Sequence, residues 1–261
     1  MTRVPTLPRW IWAPFLLGLA LFLVPLLGML WRVPWSRLGE LLSSAEAAQA
    51  LWLSLGTCVT ATGIAVVLGV PLAVVLARSS GAWVGAVRTI LTVPMVLPPV
   101  VTGLALLVTL GRRGPVGSML ASWGIEVGFT TAAVVIAQVF VAMPYLVIAL
   151  EGALRTSGEG YERVAANLGA TPSRVLWRVT LPMAAPALAS GAALTFARAL
   201  GEFGATLTFA GSLPGVTRTL PLEIYLIRES DSDLALALAL TLIVLAVLVV
   251  AVSSRLGTRH A

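Results

Sequence analysis

The chain reads as an all-α polytopic membrane protein of about six transmembrane helices, with a polar helical loop between spans four and five. Three observations predict the fold class. Of 261 residues, 58% are hydrophobic and 11% charged, whereas a soluble domain carries roughly 25% charged residues. Long apolar segments alternate with short turns that carry arginine. One stretch, about residues 155–182, breaks this alternation: it is polar, rich in arginine and patterned like a helix. No low-complexity linker or short repeat divides the sequence, so residues 1–261 read as a single transmembrane domain.

Arg3 and Arg9 precede an apolar run from Trp10 to Trp31. A basic start and an apolar core also describe a secretory leader. The run is about 20 residues, enough to span, and Gly28-Met29-Leu30-Trp31 lacks the small residues of a cleavage site, which favours a retained first helix. A polar connection with Arg32, Arg37, Glu40 and Glu46 leads to a second span, Leu51 to Ala77, interrupted by Gly63, Gly69 and Pro71. The third span, Thr89 to Leu110, follows a turn bounded by Arg78 and Arg88. Arg112-Arg113-Gly114-Pro115 to Glu126 separates it from the fourth, Thr130 to Leu150. Beyond the polar segment come a fifth span, Ala184 to Phe209, and a sixth, Leu234 to Val252.

An even number of spans puts both ends on one side, and arginine placement selects it. Arg3, Arg9, Arg78, Arg88, Arg155, Arg163, Arg174, Arg178, Arg255 and Arg259 fall on the side of the termini. Arg32, Arg37, Arg112, Arg113, Arg218 and Arg228 fall on the other. The bias predicts cytoplasmic termini and a cytoplasmic polar segment. Lysine is absent; a Walker A loop needs one to reach nucleotide phosphates, so any ATP-driven role requires a partner's engine. Cys58 is the one cysteine and His260 the one histidine. These exclude a disulfide framework and a clustered Cys/His metal site, and no acid/base constellation appears in the spans.

Within the polar segment, Ser157 is expected to cap a short helix, with Glu159 and Glu162 near the positive end of its dipole. Tyr161, Val164, Ala165 and Leu168 recur three to four apart, as one apolar stripe. Gly169 supplies the left-handed residue that ends a helix. Thr171 and Pro172, as cap and first helical residue, restart one, and Leu181-Pro182 closes it at the membrane edge. The unit is helix, glycine hinge, helix, lying along the membrane surface. Two roles are open on physical grounds: an amphipathic helix resting on lipid headgroups, and a surface on which another protein pushes.

Gly169, nine residues and then Val179-Thr180-Leu181-Pro182 resemble the coupling-loop signature of ABC-importer permeases: Glu-Ala-Ala, three residues, Gly, nine residues, Ile-x-Leu-Pro. Upstream, Arg163 and Val164 stand in place of the Glu and first Ala, Ala165 matches, and Glu162 lies one position early. Phe196-Ala197-Arg198-Ala199-Leu200-Gly201-Glu202-Phe203-Gly204-Ala205-Thr206, followed by Gly211 and Thr217-Arg218-Thr219-Leu220-Pro221, is similar to the molybdate-transport permeases. Sulfate/thiosulfate permeases carry a related stretch. The resemblance implies a non-catalytic pore subunit of an ATP-driven oxyanion importer in the prokaryotic cytoplasmic (inner) membrane, working by alternating access on molybdate or tungstate, with sulfate or thiosulfate as the alternative. It implies a homodimer, an ABC ATPase subunit on the cytoplasmic side, an external substrate-binding protein and surrounding membrane lipid. No nucleic acid, cofactor or metal is expected. Glu162, Arg163, Ala165, Gly169, Thr171, Leu181 and Pro182 become the ATPase-coupling residues. The competing class, an ATP-independent channel or ion-coupled carrier, usually needs protonatable groups along its path; Glu202 is nearly alone there.

Spans three and five supply the pathway or gate candidates. Arg198 and Glu202 are four apart on one helical face, and charges inside a span usually face a bundle interior or a water-filled cavity. They read either as a self-neutralising pair that fixes the helix or, with Thr206 and Thr208, as groups beside the pore. Glu202 would repel an anion, which makes it gate or packing rather than ligand. Pro94, Pro98 and Pro99 remove backbone donors from span three, and irregular backbone at membrane depth is tolerated where protein or a cavity satisfies it; Pro98 and Thr102 join the candidates there. Gln138 and Pro144 are weaker ones. Glu223, Glu229, Asp231 and Asp233 form either a solvated loop or a contact for the binding protein. Trp10, Trp12, Trp31, Trp35 and Trp177 suit interfacial anchoring.

Overall fold

The computed structural model describes residues 8–258; Arg3, Arg259, His260 and the side chain of Arg255 lie outside what it describes. In chain order the helices are α1 Trp12–Arg32, α2 Leu38–Leu42, α3 Ala45–Arg78, α4 Ala82–Val96, α5 Pro99–Leu110, α6 Pro115–Ser122 and α7 Thr131–Ser157. There follow α8 Gly160–Asn167, α9 Pro172–Val175, a π-helical turn Leu176–Thr180, α10 Leu181–Met183, α11 Ala185–Leu200, α12 Gly204–Ala210, α13 Leu220–Ile227 and α14 Ser232–Thr258. Among the described residues there is no strand. Segments Arg9–Arg32, Ala45–Arg78, Thr131–Ser157 and Ser232–Ala251 are each long and apolar enough to cross a membrane; two bent pairs bring the number to six if each is one span.

Span three carries the irregularity that its prolines predict, as a full break, and span five is broken as well. Ala82–Val96 and Pro99–Leu110 meet at 114°. A residue before proline is pushed out of the helical region, and Leu97 and Pro98 both precede a proline. Their ψ angles are 139° and 134°, so the chain extends for two residues and restarts with Pro99 as first helical residue. The segment expected as one span, Ala184 to Phe209, is two helices, α11 and α12, parted by Gly201, Glu202 and Phe203. Glu202 reaches past the break, its Oε1 accepting from the Ala205 N–H at 2.9 Å. Ahead of α11, Pro172–Met183 and Ala185–Leu200 meet at 70°. The fourth span also runs further than its apolar pattern. Ser157 closes α7, donating its hydroxyl to the Ala153 carbonyl at 2.8 Å, and does not cap α8. Glu159 holds the cap position of α8 and makes no side-chain capping bond.

The core is α7, packed between α3 and α11. Along α3 the buried positions are Ala47, Ala50, Ser54, Thr57, Cys58, Ala61, Ala65, Gly69, Ala73 and Leu76, a stripe at helical spacing made almost wholly of small side chains. Lipid tails are as apolar as leucine, so helices in a membrane gain from close packing rather than from escaping water. Small residues on α7, notably Ala133, Ala137 and Ala142, are likewise fully buried. The second halves of the two broken spans are packed at backbone distance. A Cβ added to Gly103 would lie 2.7 Å from the Ala205 carbonyl oxygen and 2.7 Å from Thr208 Cβ, and one on Gly204 would lie 2.7 Å from Pro99 Cβ. Leu106, Ala133, Val134, Ala137, Val141, Ala205, Phe209 and Ala210 continue this contact onto α7.

Apart from Arg198–Glu202, the ion pairs among the described residues join groups expected at the same end of the bundle. Arg37–Asp233, Arg112–Glu126, Arg218–Glu223 and Arg228–Glu229 lie at one end; Arg78–Glu162, Arg88–Glu151, Arg155–Glu151 and Arg163–Glu159 lie at the other. Arg198–Glu202 sits between them in span five.

Gly103→Ala is expected to destabilise the protein by about 1–3 kcal/mol, the usual cost of overpacking. Gly85→Ala, where an added Cβ meets nothing within 4 Å, serves as the control. Thermal unfolding in detergent reads both; equal Tm values would contradict the close α5–α12 contact.

Candidate functional site

Helix α8 is fastened to the bundle through the carboxylate of Glu162. Glu162 of α8 takes two hydrogen bonds from Arg78 at the end of α3, Nη2 to Oε1 at 2.7 Å and Nε to Oε2 at 3.0 Å. The Thr180 hydroxyl, at the end of the π turn, donates to the same Oε1 at 2.8 Å. Burial pushes the Glu162 carboxyl up, but the hydrogen bonds from Arg78 and Thr180 and the charge of Arg78 outweigh it and hold the group below its ordinary value of 4.5. Arg78 also donates to the carbonyls of Leu154 and Gly158, at 2.9 and 3.2 Å. Those carbonyls belong to the C-terminal end of α7, where a helix carries partial negative charge. One guanidinium thereby joins α3, α7 and α8.

A second arginine cluster repeats this arrangement beside it. Glu151 of α7 pairs with Arg88 of α4 at 2.5 Å and with Arg155, one turn on, at 2.9 Å. Arg155 also donates to the Leu76 carbonyl near the end of α3 at 2.8 Å. Arg78, Arg88, Glu151 and Thr180 were not among the sequence candidates. Their signal is present but faint: an acidic residue in a basic neighbourhood, on an otherwise apolar helix.

The outward side of the segment is apolar and basic. Tyr161, Val164 and Leu168 are exposed, Leu168 by 83%, as are Arg163, Arg174 and Trp177. The expected stripe therefore faces away from the protein, apart from half-buried Ala165, and the face turned inward is that of Glu162. Gly169 ends α8 as expected, with φ +85°. Its N–H bonds the Ala166 carbonyl at 2.9 Å and the Ala170 N–H bonds that of Ala165 at 3.0 Å, the paired bonds of a Schellman stop. Thr171 caps α9, its hydroxyl oxygen accepting from the Arg174 N–H at 3.4 Å. Leu181 and Pro182 begin α10 just before the 70° bend into α11. Between α8, α9 and α3 lies a cavity of about 480 Å³ lined by Val74, Arg78, Glu162, Arg163, Ala166 and Leu176 among others.

The structure divides the pathway candidates. Pro98 is exposed and Arg198 partly so, whereas Thr102, Glu202 and Thr206 are fully buried. The hydroxyls of Thr102 and Thr206 have no hydrogen-bond partner in the protein. Neither threonine lines an open surface of the protomer. Arg198 Nη1 and Glu202 Oε2 are 2.8 Å apart. Gln138, a weaker candidate, is buried, and donates weakly to the Ala199 carbonyl at 3.4 Å. Phe203, in the break of span five, packs on Tyr225 of α13 with ring centroids 4.9 Å apart, and Arg228 covers that tyrosine ring at 3.9 Å. Of the acidic loop residues, Glu223 is buried and paired with Arg218, while Glu229 is exposed.

Residues 65–259 match the family described as the inner membrane component of binding-protein-dependent transport systems. The molybdenum transport system permease proteins ModB of Mycobacterium bovis and Mycobacterium tuberculosis are each 55% identical over 225 residues, covering 86% of this chain and 85% of theirs. The ModB of Escherichia coli is 39% identical over 180 residues, covering 69% of this chain and 79% of its own. Among solved structures, a bacterial alginate ABC transporter in complex with its pentasaccharide-bound periplasmic protein aligns with TM-score 0.68 at 18% identity, over 96% of this chain and 94% of that one. The methionine transporter MetNI, in an inward-facing form, aligns with TM-score 0.63 at 19% identity, over 82% of this chain and 95% of that one. With the helix–glycine–helix segment in place at the end of an all-helical bundle, the chain belongs to the inner-membrane-component family of binding-protein-dependent transport systems and, within it, to the molybdenum transport permeases.

Proposed function

We propose that this permease subunit carries molybdate, with tungstate as a close analogue, through the cytoplasmic membrane as half of a homodimeric pore. An ATPase engages the Tyr161–Pro182 segment from the cytoplasm, a binding protein delivers the anion outside, and both termini lie in the cytoplasm, the side that the arginine excess favours. The observation that carries the reading is the outward face of α8. Tyr161, Val164 and Leu168 are exposed on a short helix that Glu162 fastens to Arg78. Exposed apolar patches rimmed by polar groups mark protein contacts, and this one is bound to α3 and α7 through one carboxylate. A push on α8 therefore reaches the long helices directly. The substrate assignment is supported by the names of the relatives at 55% identity.

Glu162 and Thr180 act as the fastening of the segment, Gly169 as its hinge, and Arg163 as an outward charge rather than a structural one. Arg163 stands 75% exposed, with Glu159 3.9 Å away. Thr171, Leu181 and Pro182 set the second helix and its exit into the membrane. Pro98 and Arg198 border the passage; Thr102, Glu202 and Thr206 lie behind it and set the shape of the two breaks.

Three outcomes are expected. Reconstituted with its ATPase and binding protein, the importer takes up labelled molybdate, and unlabelled tungstate competes better than sulfate; sulfate as the preferred substrate would overturn the molybdate assignment. Gly169→Pro, which cannot adopt φ +85°, leaves the permease in the membrane but severs ATP hydrolysis from uptake; coupled uptake in that variant would remove the role given to the hinge. The third follows from the depressed Glu162 carboxyl. A group whose folded pKa lies below its unfolded value stabilises fully above that unfolded value and loses the contribution as pH falls through the folded one. Wild type should therefore melt above Glu162→Gln at pH 7, and the gap should close as pH is lowered below 4.5. A gap of constant size across that range would show that the carboxylate's charge is not what fastens α8.

A further inference from the structure

Three arginines at the ends of the bundle each bridge two or more groups. Arg78 donates to Glu162, Leu154 and Gly158, Arg155 to Glu151 and Leu76, and Arg218 to Ser212 and Glu223. Arg198 differs. It lies within span five, and its charged partner among the described residues is Glu202, whose Oε2 lies 2.8 Å from Nη1 as an ion pair with no hydrogen bond between them. A guanidinium has five N–H donors in a planar fork, so those on Nε and Nη2 are left without a protein acceptor. The side chain is 27% exposed. Exposed Leu194, four residues before it, and exposed Gly201, three residues after it, share its side of the helix.

Glu202 is disposed differently. Only 1% of its side chain is exposed, one oxygen takes the Ala205 N–H at the start of α12, and the other faces Arg198. An anion reaching this face meets the guanidinium first and the carboxylate behind it.

We propose that Arg198 is a transit contact for the oxyanion, its free N–H groups taking a tetrahedral dianion on the accessible face of span five while Glu202, as a positioning residue, aims the guanidinium and keeps the hold weak. This rests on the oxyanion reading above and gives that reading a residue. A transport site must bind strongly enough to admit the ion and weakly enough to release it. An unpaired arginine would trap a dianion; an arginine half-occupied by a buried carboxylate does not. The arrangement also explains why an acidic residue is compatible with an anion path.

The test uses the complete importer, reconstituted with ATPase and binding protein. The double variant Arg198→Gln/Glu202→Gln removes both charges and leaves no buried carboxylate unpaired, so a pair that serves packing alone predicts uptake near wild type. We expect a loss of about tenfold or more, the effect of one charge-assisted hydrogen bond, with assembled complex checked by size-exclusion chromatography. Normal uptake by the assembled double variant overturns the proposal. Gly201→Cys provides a measurement that does not depend on that variant folding, since an added Cβ there meets nothing closer than 3.8 Å and the native Cys58 is buried. Anionic methanethiosulfonate reagent should label it severalfold faster than its cationic counterpart, and millimolar molybdate should slow the anionic reaction. Labelling indifferent to reagent charge and to molybdate also overturns the proposal. Transport of sulfate in place of molybdate by the wild-type importer would change the substrate assignment alone; sulfate uptake by the double variant then supports the role of Arg198 if it is lost and overturns it if it is normal.

Discussion

Close approach of α3 to α7 is the constraint on which the rest of the molecule depends. A 34-residue helix that crosses a membrane cannot be held by the hydrophobic effect, because lipid offers the same apolar surroundings as protein. It is held by contact, and contact along so many turns requires small side chains at every buried position. Ala47 to Ala73 supply them at helical spacing. Once that seam is set, the ends of α3 and α7 lie side by side. Arg78, Arg155 and Glu151 can then reach across from helix to helix, and α8 has somewhere to be fastened. The segment is thus positioned by packing that runs along α3 and α7 up to its own attachment at Arg78.

The two ends of the bundle are stiffened by different means from its middle. Arginines satisfy the terminal carbonyls of α3 and α7 at one end. At the other, Ser54 accepts the Leu220 N–H at 2.6 Å and Thr131 donates to Val216 at 2.8 Å. Between them lie two breaks, at Leu97–Pro98 and Gly201–Phe203, whose second halves are joined at backbone contact. Phe203 carries the second break outward to Tyr225 and Arg228. The interior irregularities of the protein are therefore connected both to each other and to its surface.

Much of this was legible in the sequence, for identifiable reasons. Hydrophobic run length marks four unbroken spans and two bent pairs, because a bilayer imposes it. Gly169, Thr171 and Pro172 were read correctly because helix ends obey local chemistry that survives in any context. What local patterns could not give was direction. The stripe of Tyr161, Val164 and Leu168 fits either face of a surface helix, and only Glu162 meeting Arg78 turns it outward. Ser157 satisfies the rules for a cap and is instead the last residue of a longer helix. Three prolines foretold a kink in span three; the full break required the further fact that Leu97 and Pro98 are both pre-proline residues. Thr102 and Thr206 suited a pore by composition, yet helix packing turned them inward.

The π turn at Leu176–Thr180 gives the nine residues between Gly169 and the Val-Thr-Leu-Pro exit a meaning beyond length. Such a turn holds one residue more than an α-helical turn, and one residue on an α-helix is a rotation of about 100°. Thr180 points at Glu162, and α10 leaves toward α11, at an azimuth that an unbroken α-helix of the same reach would not produce. Spacing in this segment is thus an angular setting. A deletion of one residue there would shorten the loop hardly at all, but it would turn the exit helix by about a quarter of a circle.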